Sequence, residues 1–227
     1  MMELFLDRVD AGRQLANALS EFAHSPDVVV LGLPRGGVPV AYEVACALGV
    51  PLDVLVVRKV GVPGQEELAM GAVANGDVLV CNEPVIDSLG ISMAEVRSVA
   101  QQKSLEVVER QRLFRAGRAP LEVDDKIVLV IDDGLATGAT MRAAVQSLRM
   151  RRPRQIIVAV PVASAEAHAD LANLADRCVC LQIPEPFHAV GYWYRHFDQV
   201  SDATVCSLLE RQGRPSVRPS SSVASEY

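Results

Sequence analysis

Five short apolar runs recur along the chain, at residues 28–33, 52–57, 127–131, 156–160 and, more weakly, 178–183. They are continuous rather than alternating, and they are rich in β-branched residues. That pattern suits strands buried on both faces of a parallel sheet. Between them the apolar positions fall at helical spacing, at 38–48, 138–150 and 165–175. A further amphipathic helix is expected to open the chain at 8–24, with Val9, Leu15, Ala16, Leu19 and Phe22 on one face. Strands alternating with helices predict an α/β fold, a parallel sheet flanked by helices and joined by right-handed crossovers.

Two segments break this rhythm. Residues 58–82 carry Gly61, Pro63, Gly64, Gly71, Asn75 and Gly76. Asn75-Gly76 is a hairpin signal, so 68–74 and 78–81 are expected to pair antiparallel, with a flexible loop before them. Residues 92–116 form the longest helical pattern, opened by Ser92 with Glu95 three residues on, a capping box. After Asp176 the character changes again. Five of the ten aromatics fall between Phe187 and Phe197, which predicts an irregular element, a small C-terminal hood at about 184–200. Residues 1–205 are read as a single domain. Residues 213–227, rich in Ser and Pro without periodicity, are read as a disordered tail.

Composition narrows the classes. Half of the 227 residues are apolar, enough for a sizeable core, and a net charge of −6 argues against a general nucleic-acid binder. No apolar run reaches the length of a membrane helix, and Met1 to Asp7 lacks the basic and apolar regions of a signal peptide. Five cysteines without framework spacing fit a reduced, cytoplasmic protein. Cys178 and Cys180 read as core. The four histidines show no metal spacing. Arg149, Arg151, Arg152 and Arg154 complement a helix C-terminus, with a nucleic-acid patch as the alternative.

The chemistry concentrates in Val128 to Thr140. Four apolar residues lead to Asp132 and Asp133, then to a turn of small and hydroxylic residues and a helix. Ligands of open α/β sheets bind outside the carboxyl ends of strands. A glycine-containing turn entering a helix presents free N–H groups to an anion. The two acids would repel that anion, but they suit the vicinal hydroxyls of a sugar. One strand-turn-helix therefore offers a phosphate cradle beside a diol clamp. Leu33-Pro34-Arg35-Gly36-Gly37-Val38 repeats the design after the first strand, with glycines that permit close approach and an arginine suited to phosphate.

The first segment resembles the motif with which type I phosphoribosyltransferases bind 5-phosphoribosyl-1-pyrophosphate (PRPP), and the second resembles that family's pyrophosphate loop. The whole order of features is similar to a bacterial group of such proteins. The resemblance implies that Asp132 and Asp133 hold the ribose hydroxyls. It gives Gly134, Ala136, Thr137, Gly138, Ala139 and Thr140 to the rest of the PRPP site, with the 5-phosphate on the stretch from Ala136 to Thr140. Ala136 stands where the family usually has Ser or Thr. Arg35, Gly36 and Gly37 would bind pyrophosphate. Arg58 and Lys59, where a flexible catalytic loop leaves the sheet, would act with Arg35 as the catalytic cations. Phe187, Tyr192 and Trp193 of the hood would stack on a base, with sealing of the sheet end as the other reading.

The implied function is transfer of a phosphoribosyl group to a nitrogenous base. Mg²⁺ would be held mainly through substrate, with no direct protein ligand, and the protein would form a homodimer. Met93, Val96, Ala100, Leu105 and Val108 on the long helix would be packing or dimer surface. Val160 stands where purine-salvage members carry a base-reading Lys, which counts against guanine, xanthine or hypoxanthine. A PRPP- or nucleotide-sensing regulator, or a phosphoribosyl hydrolase, would use the same cradle.

Overall fold

The computed structural model describes residues 3–74 and 78–212. The expected Asn75-Gly76 turn and the 213–227 tail lie outside the described residues. Five parallel strands, β1 (Val28–Gly32), β2 (Leu52–Val54), β6 (Ile127–Ile131), β7 (Gln155–Val162) and β8 (Arg177–Gln182), form one sheet in the order β2-β1-β6-β7-β8. Three more, β3 (Val57–Val62), β4 (Gln65–Ala74) and β5 (Val78–Cys81), form a separate antiparallel sheet.

The continuous apolar runs behave as double-sided strands. Val28 and Val30 of β1 enter one core layer while Val29 and Leu31 enter the other. Leu129 and Ile131 against Val128 and Val130 repeat this in β6, and Ile157 and Ala159 against Ile156 and Val158 repeat it in β7. The first layer is closed by α1 (Arg8–Ala18), α2 (Gly37–Leu48) and α7 (Asp202–Gln212), the second by α5 (Ala139–Arg149) and α6 (Ala165–Leu174). Each fully buried Val or Leu contributes about 1.5–3 kcal/mol.

Three elements differ from the sequence reading. The 8–24 helix stops at Ala18 and continues as a short 3-10 turn, Ser20–Phe22. The 52–57 run is divided: Leu52–Val54 joins the parallel sheet, and Val57 begins β3 of the other. Burial is equally demanded in both sheets, so apolar character alone does not mark the break. The segment expected as a loop before the hairpin is itself paired, β3 against β4, turning at Gly64 with φ of +80°. Arg58 and Lys59 therefore sit inside a strand rather than at the root of a loop.

The long helix α4 (Met93–Arg115) carries the expected capping box at Ser92 and Glu95. Val96 and Ala100 are buried in the core, whereas Met93, Leu105 and Val108 are exposed. At its end Arg115 Nε donates to both carboxylate oxygens of Asp53, 3.0 Å each, and both residues are buried. The pair pins α4 to β2. Leaving Asp53 unpaired there would cost about 3–5 kcal/mol. Helix α7 is absent from the sequence reading; it buries Val205 and Leu209 and opens with Ser201 Oγ accepting the Thr204 N–H at 3.1 Å.

Strand order locates the crevice. From β1 the chain passes through α2 to β2 on one side, while β6 leads through α5 to β7 on the other. The order reverses between β1 and β6, so the loops leaving these two strands diverge and open a cleft at their carboxyl ends.

Candidate active site

Both loops at the reversal point enter helices that lack a side-chain cap. The N-cap of α2 is Gly36 and that of α5 is Gly138, so neither N-cap residue has a side chain to bond the first turn; before α5 the Thr137 Oγ1 accepts the Ala139 N–H at a long 3.4 Å. By contrast α1, α4 and α6 are capped by Asp7, Ser92 and Ser164. In α2 the Gly37 and Val38 N–H groups donate to the Leu33 and Arg35 carbonyls and Pro39 has no N–H, so α2 offers a ligand anion chiefly its positive dipole end, while the turn into α5 offers amides as well.

The α5 loop is braced from behind. Leu135 bridges to Ala163 beyond β7, and Ser164 Oγ donates to the Ala136 carbonyl at 2.7 Å. Gly138 takes φ of +68°, the left-handed turn that admits the helix. Thr137 and Thr140 lie beside these amides, both exposed. A Cβ on Gly134 would lie 2.6 Å from Val190 of the hood, so only glycine lets the hood pack there.

Asp132 and Asp133 lie directly beneath the other loop. A Cβ on Gly36 would collide with the Asp133 carboxylate, and one on Gly37 would lie 2.7 Å from the Ile131 carbonyl and 2.8 Å from Asp132 Cα. The two glycines therefore bring the Arg35 loop onto the acid pair. Asp132 Oδ1 accepts the Asp133 N–H at 2.9 Å. Burial, then the neighbouring Asp133 charge, pushes the Asp132 carboxyl well above its ordinary pKa. Burial raises Asp133 as well, and the Arg8 guanidinium opposes that rise.

Arg8 is the main contact that sequence reasoning missed. Its Nε donates to Asp133 Oδ2 at 2.8 Å, and its Nη1 donates to the Asp198 carbonyl at 2.7 Å. The guanidinium stacks 3.9 Å from the Phe197 ring centroid. Tyr194 adds a 2.6 Å hydrogen bond from its hydroxyl to the Asp133 carbonyl. Desolvation, and then the Asp133 charge, raises the Tyr194 phenol well above its ordinary value, so it stays a donor.

The cations converge less evenly. Arg35 and Arg58 line one cleft together with Arg110 of α4. A neighbouring cavity of about 230 Å³ lies among Leu33, Pro34, Arg58, Lys59 and Thr140, which brings Arg58 and Lys59 to both loops. A larger cavity of about 410 Å³ lies away from the acid pair, between the antiparallel sheet and α5, with Lys59 on its wall.

The hood aromatics divide. Phe187 and Trp193 pack in the cluster of Phe5, Val162 and Tyr194, whereas Tyr192 is 70% exposed beside His188. Trp193 Nε1 and Gln182 Oε1 are buried without a partner among the described residues. The arginines after α5 are engaged: Arg149 with Asp176, Arg152 with Asp124, and Arg154 with Asp27 and Asp125. Arg151 donates to the Leu121 carbonyl. Cys178 and Cys180 are half-buried, and burial lifts their thiols to about 11 and about 12.

A family model described as the phosphoribosyl transferase domain matches residues 6–194. Two Mycobacterium tuberculosis proteins, "Putative phosphoribosyl transferase Rv0571c" of strain H37Rv and "Putative phosphoribosyl transferase MT0597" of strain CDC 1551, are each 46% identical over 213 residues. The match takes in 94% of this chain and 48% of each relative, so the chain spans about half the length of the curated relatives it matches. The crystal structure of TT1426 from Thermus thermophilus is 40% identical, with a TM-score of 0.84 over 93% of this chain and 99% of that one.

Proposed function

Since this chain belongs to the phosphoribosyl transferase domain family, we propose that it transfers the phosphoribosyl group of PRPP to a nitrogenous base and releases pyrophosphate. One observation carries the reading: two helices with glycine N-caps and no side-chain cap open on a shared pair of half-buried carboxylates. Amides from Ala136 to Thr140, with the Thr137 and Thr140 hydroxyls, hold the 5-phosphate. Asp132 and Asp133 accept hydrogen bonds from the ribose hydroxyls. The Arg35 loop receives pyrophosphate.

In the transfer, the bond from C1 to the pyrophosphate oxygen breaks and its electron pair leaves with pyrophosphate. A nitrogen lone pair of the base forms the new bond at C1, and the nitrogen's proton passes to solvent. Negative charge grows on the leaving group, so the contribution of the protein is electrostatic, from Arg35, Arg58 and Lys59. The acid pair supplies hard oxygen donors but no cage, which suits a Mg²⁺ held mainly by substrate oxygens and water. When bound, that ion would neutralise the leaving anion. The packed ring of Trp193 and the exposed ring of Tyr192, with Phe187, border the side from which a planar base would approach.

Pyrophosphate release from PRPP and Mg²⁺ across a panel of bases tests the reading. One base should raise release far above the base-free rate, and Arg35→Ala should lower it about ten- to hundredfold, the worth of one charged hydrogen bond to the leaving group. Release without any base would make the protein a hydrolase. PRPP binding with no release would make it a sensor.

A further inference from the structure

The geometry points to a diphosphate site that extends beyond the Arg35 loop, in which Arg110 is a ligand and Asp202 is the internal counter-ion that the ligand displaces. The cleft among Arg35, Arg58, Arg110 and Phe114 encloses about 330 Å³. Its guanidiniums come from three distant parts of the chain: the turn after β1, strand β3 and the C-terminal half of α4. Asp202, first residue of α7, reaches into the same place. Its Oδ1 accepts from Arg110 Nη1 at 2.7 Å and stands 3.8 Å from Arg35 Nη1. A single carboxylate oxygen thus bridges two arginines, as a phosphate oxygen would.

The remaining acid is already shared. Glu106 lies 3.7 Å from Arg58 and takes a 2.7 Å bond from Lys103. Among the described residues the three guanidiniums of the cleft meet two carboxylates, one of which, Glu106, also serves Lys103, so the cleft carries a surplus of positive charge. Like charges are crowded without full compensation: burial, then the charge of Arg110, holds the Arg58 guanidinium's pKa below its ordinary value. A dianionic diphosphate would satisfy that surplus. Arginine forks match its paired oxygens, and a carboxylate that fills part of the cleft competes with it. The Arg115–Asp53 pair holds α4 against β2 five residues beyond Arg110, so Arg110 is presented on a fixed helix.

The substrate assignment rests on the phosphoribosyl reading; the residues do not. Calorimetric titration of the full chain with inorganic pyrophosphate and, separately, with ribose 5-phosphate tests it. Arg110→Gln should weaken pyrophosphate about tenfold or more and leave ribose 5-phosphate within about twofold, since the 5-phosphate cradle is formed by other elements. Asp202→Asn should act in the opposite direction and tighten pyrophosphate by about threefold or more. Adding ADP separates the sources of the diphosphate. If ADP weakens in Arg110→Gln as pyrophosphate does, the cleft takes any diphosphate; if only pyrophosphate and PRPP respond, it belongs to the transferred substrate. Pyrophosphate affinity unchanged by Arg110→Gln, or weakened by Asp202→Asn, overturns the assignment while normal ribose 5-phosphate binding leaves the transferase reading standing. Failure of the wild-type chain to bind either compound overturns both.

Discussion

Asp132→Asn should melt at a higher temperature than the wild-type chain and bind PRPP about ten- to hundredfold more weakly. The carboxyl of Asp132 is raised well above the ordinary aspartate value by burial and by the adjacent Asp133. An acid whose pKa rises on folding favours the protonated fold. Its penalty is absent below the unfolded value and grows as pH climbs toward the folded one. The amide removes the charge, keeps the shape and preserves Oδ1 as acceptor for the Asp133 N–H. The gain in melting temperature should therefore widen from pH 5 to pH 8 in scanning calorimetry. Binding moves the other way, because a charged acceptor of a hydroxyl is worth about 1.5–3 kcal/mol. The pair is unfavourable to the empty fold and is retained for the ligand. A variant that melted lower and bound PRPP normally would make Asp132 a structural residue.

Gly37→Ala should abolish measurable PRPP binding and destabilise the fold. The added methyl would meet the Ile131 carbonyl at 2.7 Å and Asp132 Cα at 2.8 Å. Both are backbone atoms at the end of a central strand, and neither can swing aside as a side chain does. The Leu33 to Gly37 loop must lift, at a cost of about 1–3 kcal/mol, and its amides turn away from the ligand. Gly90→Ala is the contrast. Gly90 ends α3 (Glu83–Leu89) with φ of +61° and open space around it. It should lose about 1 kcal/mol of stability and keep PRPP affinity. Denaturant melts read beside PRPP titrations distinguish the two; equal binding by both variants would mean that the loop does not need its close approach to the acid pair.

What the sequence made legible was local. Asp132, Asp133 and Gly138 lie on one strand-turn-helix, and Arg35 to Gly37 on another, so each carries its context within a dozen residues. The two-sided strands were equally plain, because Val28 to Leu31 are buried on both faces. Residues that reach the site from afar left no such trace. Arg8 meets Asp133 across 125 positions and Arg110 meets Asp202 across 92. An arginine on an amphipathic helix reads as a solvated face until the fold brings a carboxylate to it. The hood shows the same limit: aromatic density marked Phe187, Tyr192 and Trp193, but nothing in their spacing distinguished exposed Tyr192 from Tyr194, whose hydroxyl touches the acid pair. Helix α7 escaped because its apolar signal is thin, chiefly Val205 and Leu209, although Ser201 before it is a usable capping mark.

A crystal structure of the chain soaked with PRPP measures the central claim most directly. The 5-phosphate should lie on the amides that open α5 and the ribose hydroxyls on Asp132 and Asp133, with pyrophosphate under Arg35. Electron density for the sugar phosphate elsewhere, with the N-terminus of α5 bare and the acid pair still closed over by Arg8 alone, would contradict it.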